Sequence, residues 1–183
     1  MEDRDFEIFR DRKLTAVTNP SSNLKLASGI CPLKRFYDNG INLAIGTDGP
    51  ASNNCLDFFR EMFLATGLSK LKTMDPTSLD AYKVLKMATV GGAKAMGLDE
   101  ADTLEVGKLA DIIMIDLKRP SMQPLNNIEK NIVYSGAKDV IKMTMIDGRI
   151  LYEDGKFFLG EPIEDLYKRA QEVTDRIKQE ITK

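Results

Sequence analysis

Apolar and polar positions alternate along this chain with two different rhythms. Residues 3–10, DRDFEIFR, set Phe6, Ile8 and Phe9 among charges and predict a short helix. Residues 14–17, LTAV, predict a short strand that stops at Asn19-Pro20, because the residue before a proline is pushed out of helical geometry. A polar loop, SSNLKLASG, is expected next. Pro32 then suits the first position of a helix that Asn39-Gly40 closes with a left-handed cap. Ile41, Leu43 and Ile45 alternate with Asn42 and Ala44; since Ala44 is also apolar, this strand is expected to be covered on both faces, as in a parallel sheet. Leu56, Phe59, Phe63 and Leu68 form a helical stripe in the segment after it.

The second half changes texture. Asp75-Pro76-Thr77-Ser78 is expected to open a helix running to about Ala88, with Gly91-Gly92 breaking it before a further turn at Ala93, Ala95 and Met96. Residues 111–117, DIIMIDL, read as a buried strand. Between 140 and 158, Asp147-Gly148 and Asp154-Gly155 separate three strand-like runs, the strongest short-range hairpin signal. From Pro162, Ile163, Leu166, Tyr167, Ala170, Val173, Ile177 and Ile181 form one stripe of a helix. Glu164 and Asp165 stand near its start and Arg176, Lys178 and Lys183 near its end, as the helix dipole favours. The stripe could serve as a short coiled-coil seam, but the heptad pattern is brief and docking on its own domain is the expected role. The fold class is α/β, with a small antiparallel β unit after the α/β part.

Composition narrows the functions open to the chain. Its 183 residues are 43% hydrophobic and 30% charged with a net charge of −2, which suits a globular chain with a core of its own. That balance advertises neither nucleic acid nor a membrane surface. The start, MEDRDFEIFRDRK, is too charged for a signal peptide, and the two cysteines, Cys31 and Cys55, make no disulfide framework; a cytoplasmic location is expected. There is no histidine at all. The commonest general base and the commonest zinc ligand are therefore missing together, and no Ser–His or Cys–His nucleophilic pair can be built.

Asp48, in AIGTDGPASNN, follows the second expected strand. Thr-Asp-Gly-Pro is ordinary turn chemistry. Yet α/β folds place ligands at the carboxyl ends of their strands, and the loops Asn19-Pro20-Ser21-Ser22-Asn23 and Ala51-Ser52-Asn53-Asn54 would open on that same side. Asp48 as a turn residue and Asp48 as a site residue both stand at this point.

Three segments, TNPSSNLKLASGICP, GINLAIGTDGPASNN and LEVGKLADIIMIDL, resemble in that order the C-terminal half of amidohydrolase-superfamily enzymes. The nearest resemblance is to the 5-methylthioadenosine/S-adenosylhomocysteine deaminase group, near the chlorohydrolases and the guanine and cytosine deaminases. It implies the last units of a (β/α)8 barrel over residues 1–103, the C-terminal part of a small β-sandwich over 104–158, and an amphipathic helix over 159–183. It further implies that Asp48 is a metal ligand, zinc in the first place, and the catalytic carboxylate that takes a proton from the attacking water. Asn19, Ser22, Asn23 and Ser52 become substrate-side loop residues, and the substrate of a complete enzyme a purine nucleoside. The family's histidines and acid–base glutamate have no counterpart here, and Thr18 stands where the family reads histidine before Asn-Pro. The expectations are that this chain alone binds no catalytic metal and is inactive, and that it self-associates or needs a complementary N-terminal half. The alternative is a non-catalytic scaffold protein derived from such an enzyme.

Overall fold

The computed structural model describes residues 1–181, and the expectation for Lys183 lies outside them. Its contacts divide the chain into two units: residues 1–109 with 116–140, and residues 110–115 with 141–181 of the described chain.

The first unit is α/β. Helix α1 (Asp3–Asp11) leads to strand β1 (Thr15–Thr18), short helices α2 (Pro20–Lys25) and α3 (Leu33–Asp38), and strand β2 (Asn42–Ile45). Helices α4 (Phe58–Thr73), α5 (Ala81–Ala88) and α6 (Val90–Met96) follow. β1 and β2 pair in parallel, Thr15 opposite Asn42 through Thr18 opposite Ile45, so both strands end on one edge. Leu43, Ala44 and Ile45 are all buried, which is the two-sided cover that the apolar run implies. The core also takes Phe6 and Phe36, whose rings lie 4.9 Å apart, and Phe59, Met62, Val84 and Met87. The chain returns to this unit for helix α7 (Ile128–Ser135), whose Val133 is buried. The described residues hold two parallel strands and do not close a barrel.

Several elements differ from the sequence reading, each for a local reason. The expected loop after Pro20 is α2, because Pro20 sits at the first helical position, where its missing N–H costs nothing. Pro32 caps α3 from outside, while Gly40, at φ 68°, supplies the left-handed residue. In α4 the buried line is Phe59, Met62, Ala65 and Ser69, with Leu56 and Phe63 exposed; the helix is apolar on more than one side, so periodicity does not single out its inner face. Asp75 accepts the backbone N–H and hydroxyl of Thr77 in a turn, and α5 starts only at Ala81, capped by Asp80 accepting the Lys83 N–H at 3.0 Å. The helix break falls at Thr89 rather than at the glycines, which lie inside α6. Gly91 is there because the Leu43 carbonyl of β2 crosses so close that no Cβ fits, and Asn42 Nδ2 donates to the Gly91 carbonyl at 3.0 Å.

The second unit is an antiparallel sheet in the order β3 (Ile112–Ile115), β4 (Ile141–Ile146), β5 (Arg149–Glu153) and β6 (Lys156–Phe157), followed by helix α8 (Ile163–Ile181). Ile146 faces Arg149 and Glu153 faces Lys156, so both Asp-Gly pairs close two-residue hairpins with positive φ at each position. β3 is half-exposed instead of buried, with Ile113 and Met114 uncovered among the described residues. α8 corrects the docking expectation: none of its described residues is buried, and Tyr167, Val173, Ile177 and Ile181 are exposed. Among the described residues no helix is long and apolar enough to cross a membrane.

The two glycines of α6 give opposite predictions. Gly91→Ala forces a methyl against the Leu43 carbonyl and is expected to cost about 1–3 kcal/mol. Gly92→Ala meets only ordinary contact and should gain about 0.5–1 kcal/mol of helix stability. Urea unfolding midpoints of the two variants check the contrast.

Candidate functional site

Parallel pairing brings two loops to one rim. Beyond the last paired residues the Gly46 N–H donates to the Thr18 carbonyl at 2.9 Å, so the strands stay together until the chain turns into both loops. At Gly46 the Asn19 side-chain oxygen lies where a Cβ would stand, so a larger residue there would displace the Asn19 amide.

Asp48 stands exposed on the second loop, with φ at 62°. Aspartate tolerates this left-handed region better than most residues, but holding any non-glycine there costs on the order of 1–3 kcal/mol and needs surrounding support. The support is visible. Ser22 Oγ donates to Asp48 Oδ2 at 2.7 Å, and the Gly49 N–H donates to Oδ1 at 2.7 Å. The Ser22 hydroxyl, then the Ser52 hydroxyl and the Gly49 N–H, hold the Asp48 carboxyl below the usual carboxylate range. Ser52 Oγ also lies 3.2 Å from the Gly49 carbonyl, inside the same turn.

The loops are tied together a second time behind Asp48. Lys25 Nζ, from α2, donates to the Ala51 carbonyl at 2.9 Å and to Asn54 Oδ1 at 2.7 Å. Deeper still, Asn53 Nδ2 donates to the Thr47 carbonyl at 2.8 Å and to Glu61 Oε1 at 2.7 Å. Glu61 Oε2 accepts the Ser21 N–H at 2.9 Å. An open cleft of about 510 Å³ beside these loops is lined by Ser21, Lys25, Ser52, Asn53, Asn54 and Arg60, among others.

Of the residues singled out by sequence, Ser22 meets Asp48, Ser52 donates to the Gly49 carbonyl in the same turn, and Asn19 sits at Gly46 on the same rim. Asn23 instead lines a small crevice with Thr18, Pro20, Cys31 and Leu33. Glu61 and Asn53 carry much of the network without having been picked out as site residues. The available signal was a lone acid, Glu61, between the core residues Phe59 and Met62 of α4.

A metal site needs more than this. Among the described residues no three His, Cys, Asp or Glu side chains converge on a point that could hold an ion, whereas zinc takes three or four protein ligands. Thr18 is buried beneath the rim, and burial pushes the Cys31 thiol up. Asp48 fits one ligand position: its carboxylate is exposed, held as an anion and oriented by donors on both oxygens. The described residues do not fit a complete site.

An exposed, donor-held carboxylate at the carboxyl edge of parallel strands is the site architecture of α/β enzymes. The chain belongs to the amidohydrolase family, whose pattern matches residues 1–151. It is 41% identical over 180 residues to 5'-deoxyadenosine deaminase of Methanosarcina mazei, covering 97% of this chain and 41% of that protein. It is 49% identical over 153 residues to 5-methylthioadenosine/S-adenosylhomocysteine deaminase of Desulfovibrio desulfuricans, covering 84% of this chain and 35% of that protein. The crystal structure of an adenosine deaminase from Xanthomonas campestris with bound zinc superposes with a TM-score of 0.93 at 36% identity, over 98% of this chain and 41% of that one. The chain thus spans about two fifths of the length of the curated relatives it matches.

Ser22→Ala removes the leading donor to Asp48, so the Asp48 carboxyl should titrate closer to the ordinary aspartate value of about 3.9. The sign follows from linkage. A carboxyl lowered in the folded state contributes stability above the unfolded value, and loses it as pH falls through the folded one. Carboxyl carbon NMR against pH should therefore show an upward shift in Ser22→Ala and a smaller one in Ser52→Ala.

Proposed function

We propose that this chain is the C-terminal portion of a metal-dependent hydrolase that deaminates an adenosine-type nucleoside, with Asp48 as a metal ligand and the catalytic carboxylate. In this reading residues 1–103, with β1 and β2, are the last units of a (β/α)8 barrel, and residues 104–158, with β3 to β6, are the C-terminal part of a β-sandwich. The observation that carries the proposal is the hold on an exposed Asp48 at the strand ends, with the Ser22 hydroxyl donating to one carboxylate oxygen and the Gly49 N–H to the other. The names of the relatives support the substrate class.

A divalent metal, zinc in the first place, supplies Lewis acidity that brings water close to ionisation at neutral pH. Asp48 accepts the proton of the water that attacks the purine carbon bearing the amino group, and passes it to the departing nitrogen. The Ser22 hydroxyl and the Gly49 N–H keep the carboxylate aimed between transfers. Asn19 and the loop from Ala51 to Asn54 border the space a nucleoside would enter, and Asn23 is proposed to act there with them. The remaining ligands come from a complementary half of the barrel that adds to the unpaired edges of the two strands. By itself the chain is proposed to bind no catalytic metal and to deaminate nothing.

A scaffold reading has one observation in its favour: Thr18, where the resembled enzymes carry histidine, is buried. One experiment separates the two. The chain is co-expressed with a segment carrying the first strands and histidines of a 5-methylthioadenosine/S-adenosylhomocysteine deaminase. Zinc content and ammonia release from methylthioadenosine and 5'-deoxyadenosine are then measured. The deaminase reading expects zinc and activity in the assembly only, and a loss of about 10²–10⁴-fold in Asp48→Asn. An assembly that forms with no activity, or whose Asp48→Asn variant works as well as the parent, would overturn it.

A further inference from the structure

Glu61 lies in the first turn of α4 and is fully buried. Among the described residues no lysine or arginine forms an ion pair with it, so its burial is not explained by a cation. Both of its oxygens meet donors instead: the Ser21 N–H at 2.9 Å and Asn53 Nδ2 at 2.7 Å. Two facing donors demand a group that only accepts, and a carboxylate is the one acidic side-chain form that does so with both oxygens.

Each donor is one step from Asp48. Ser21 precedes Ser22, whose hydroxyl donates to Asp48 Oδ2. Asn53 shares its amide hydrogens between Glu61 and the carbonyl of Thr47, the residue before Asp48. Asn53 Oδ1 is already engaged by the N–H groups of Cys55 and Leu56, at 3.2 and 3.3 Å, so its amide cannot turn round without breaking them. The bonds close a ring that runs from Glu61 through Ser21 and Ser22 to Asp48, and back through Thr47 and Asn53. Ser21 Oγ makes no hydrogen bond among the described residues, so it is the Ser21 backbone that the ring uses.

We infer that Glu61 is a positioning residue: it fixes the spacing of the two loops, so that Ser22 reaches Asp48 and Asp48 is held in its left-handed conformation. An apolar residue would serve the packing of α4 as well, but would leave the Ser21 N–H and the Asn53 amide unanswered. The catalytic consequence rests on the deaminase reading; the positioning itself does not.

The test therefore reads the chain first and the assembly second. The Gly49 N–H bonds to Asp48 Oδ1, so its proton resonance reports how the carboxylate is held. Glu61→Gln places an N–H₂ against a donor, and Asn53→Ala removes the other arm of the ring. Both are expected to move the Gly49 amide resonance upfield, whereas Ser21→Ala leaves it in place. A purely structural Glu61 would lower the Tm and leave that resonance where it is. An unmoved Gly49 resonance in folded Glu61→Gln overturns the inference; should that variant not fold, an unmoved resonance in Asn53→Ala overturns it instead. In an active assembly, Glu61→Gln should lower kcat by up to about 10²-fold with KM for the nucleoside little changed. If the parent assembly is inactive while the resonance still moves, the deaminase reading fails and the positioning role stands.

Discussion

The rim depends on a buried carboxylate with no cation beside it. Glu61 is held in the interior by two donors that follow the two parallel strands: the backbone N–H of Ser21, in the first turn of α2, and the side-chain amide of Asn53, in the loop after β2. Water cannot reach these donors, and an unmet buried donor costs about 1–3 kcal/mol. α4 meets both with one side chain, and its N-terminal dipole favours a negative charge in that first turn. The apolar contacts of Phe59 and Met62 fasten the helix to the unit; Glu61 sets where the loops lie on it. Adhesion and alignment thus come from neighbouring residues of one turn.

The strand pairing supplies the other constraint. Parallel pairing by itself puts the carboxyl ends of both strands on one edge, and the crossover between them holds two short helices, α2 and α3. α2 matters beyond connection. It starts at Pro20, directly at the end of β1, so Ser21, Ser22 and Lys25 all come from one helix lying against the second loop. A floppy loop in its place would carry the same residue types without the same geometry.

That difference marks what the sequence made legible. The strands, the two Asp-Gly hairpins and the acid at a strand end follow from local signals: apolar runs, turn pairs and a carboxylate where a strand must stop. Ser22 and Ser52 were within reach because small polar residues flank that acid. α2 was not, since Asn19-Pro20 ends a strand and starts a helix with equal propriety, and only the packing of Pro20 decides. Nor was the role of Glu61: on a helix an acid between apolar residues reads as solvated unless its partners, 40 and 8 positions away, are known. The inner face of α4 and the exposure of α8 were decided in the same way, by what each helix meets in space. Local chemistry was legible, and non-local satisfaction of polar groups was not.

The donors around Asp48 also bear on which half of its proposed role the geometry serves better. Donors on both oxygens fix where the Asp48 carboxylate lies and also weaken its pull on a proton. The two roles are compatible only if the water it faces is itself made acidic, and that is the chemistry a divalent metal supplies. An isolated Asp48 with a donor on each oxygen would be poorly suited to abstract a proton from ordinary water. Its left-handed backbone carries the same message, because strain maintained at an exposed turn has to be supported by structure around it. Here the support is a ring of bonds anchored in the core, which is more than a simple turn requires. The local architecture around Asp48 therefore fits a carboxylate that shares an ion with further ligands better than it fits a lone base.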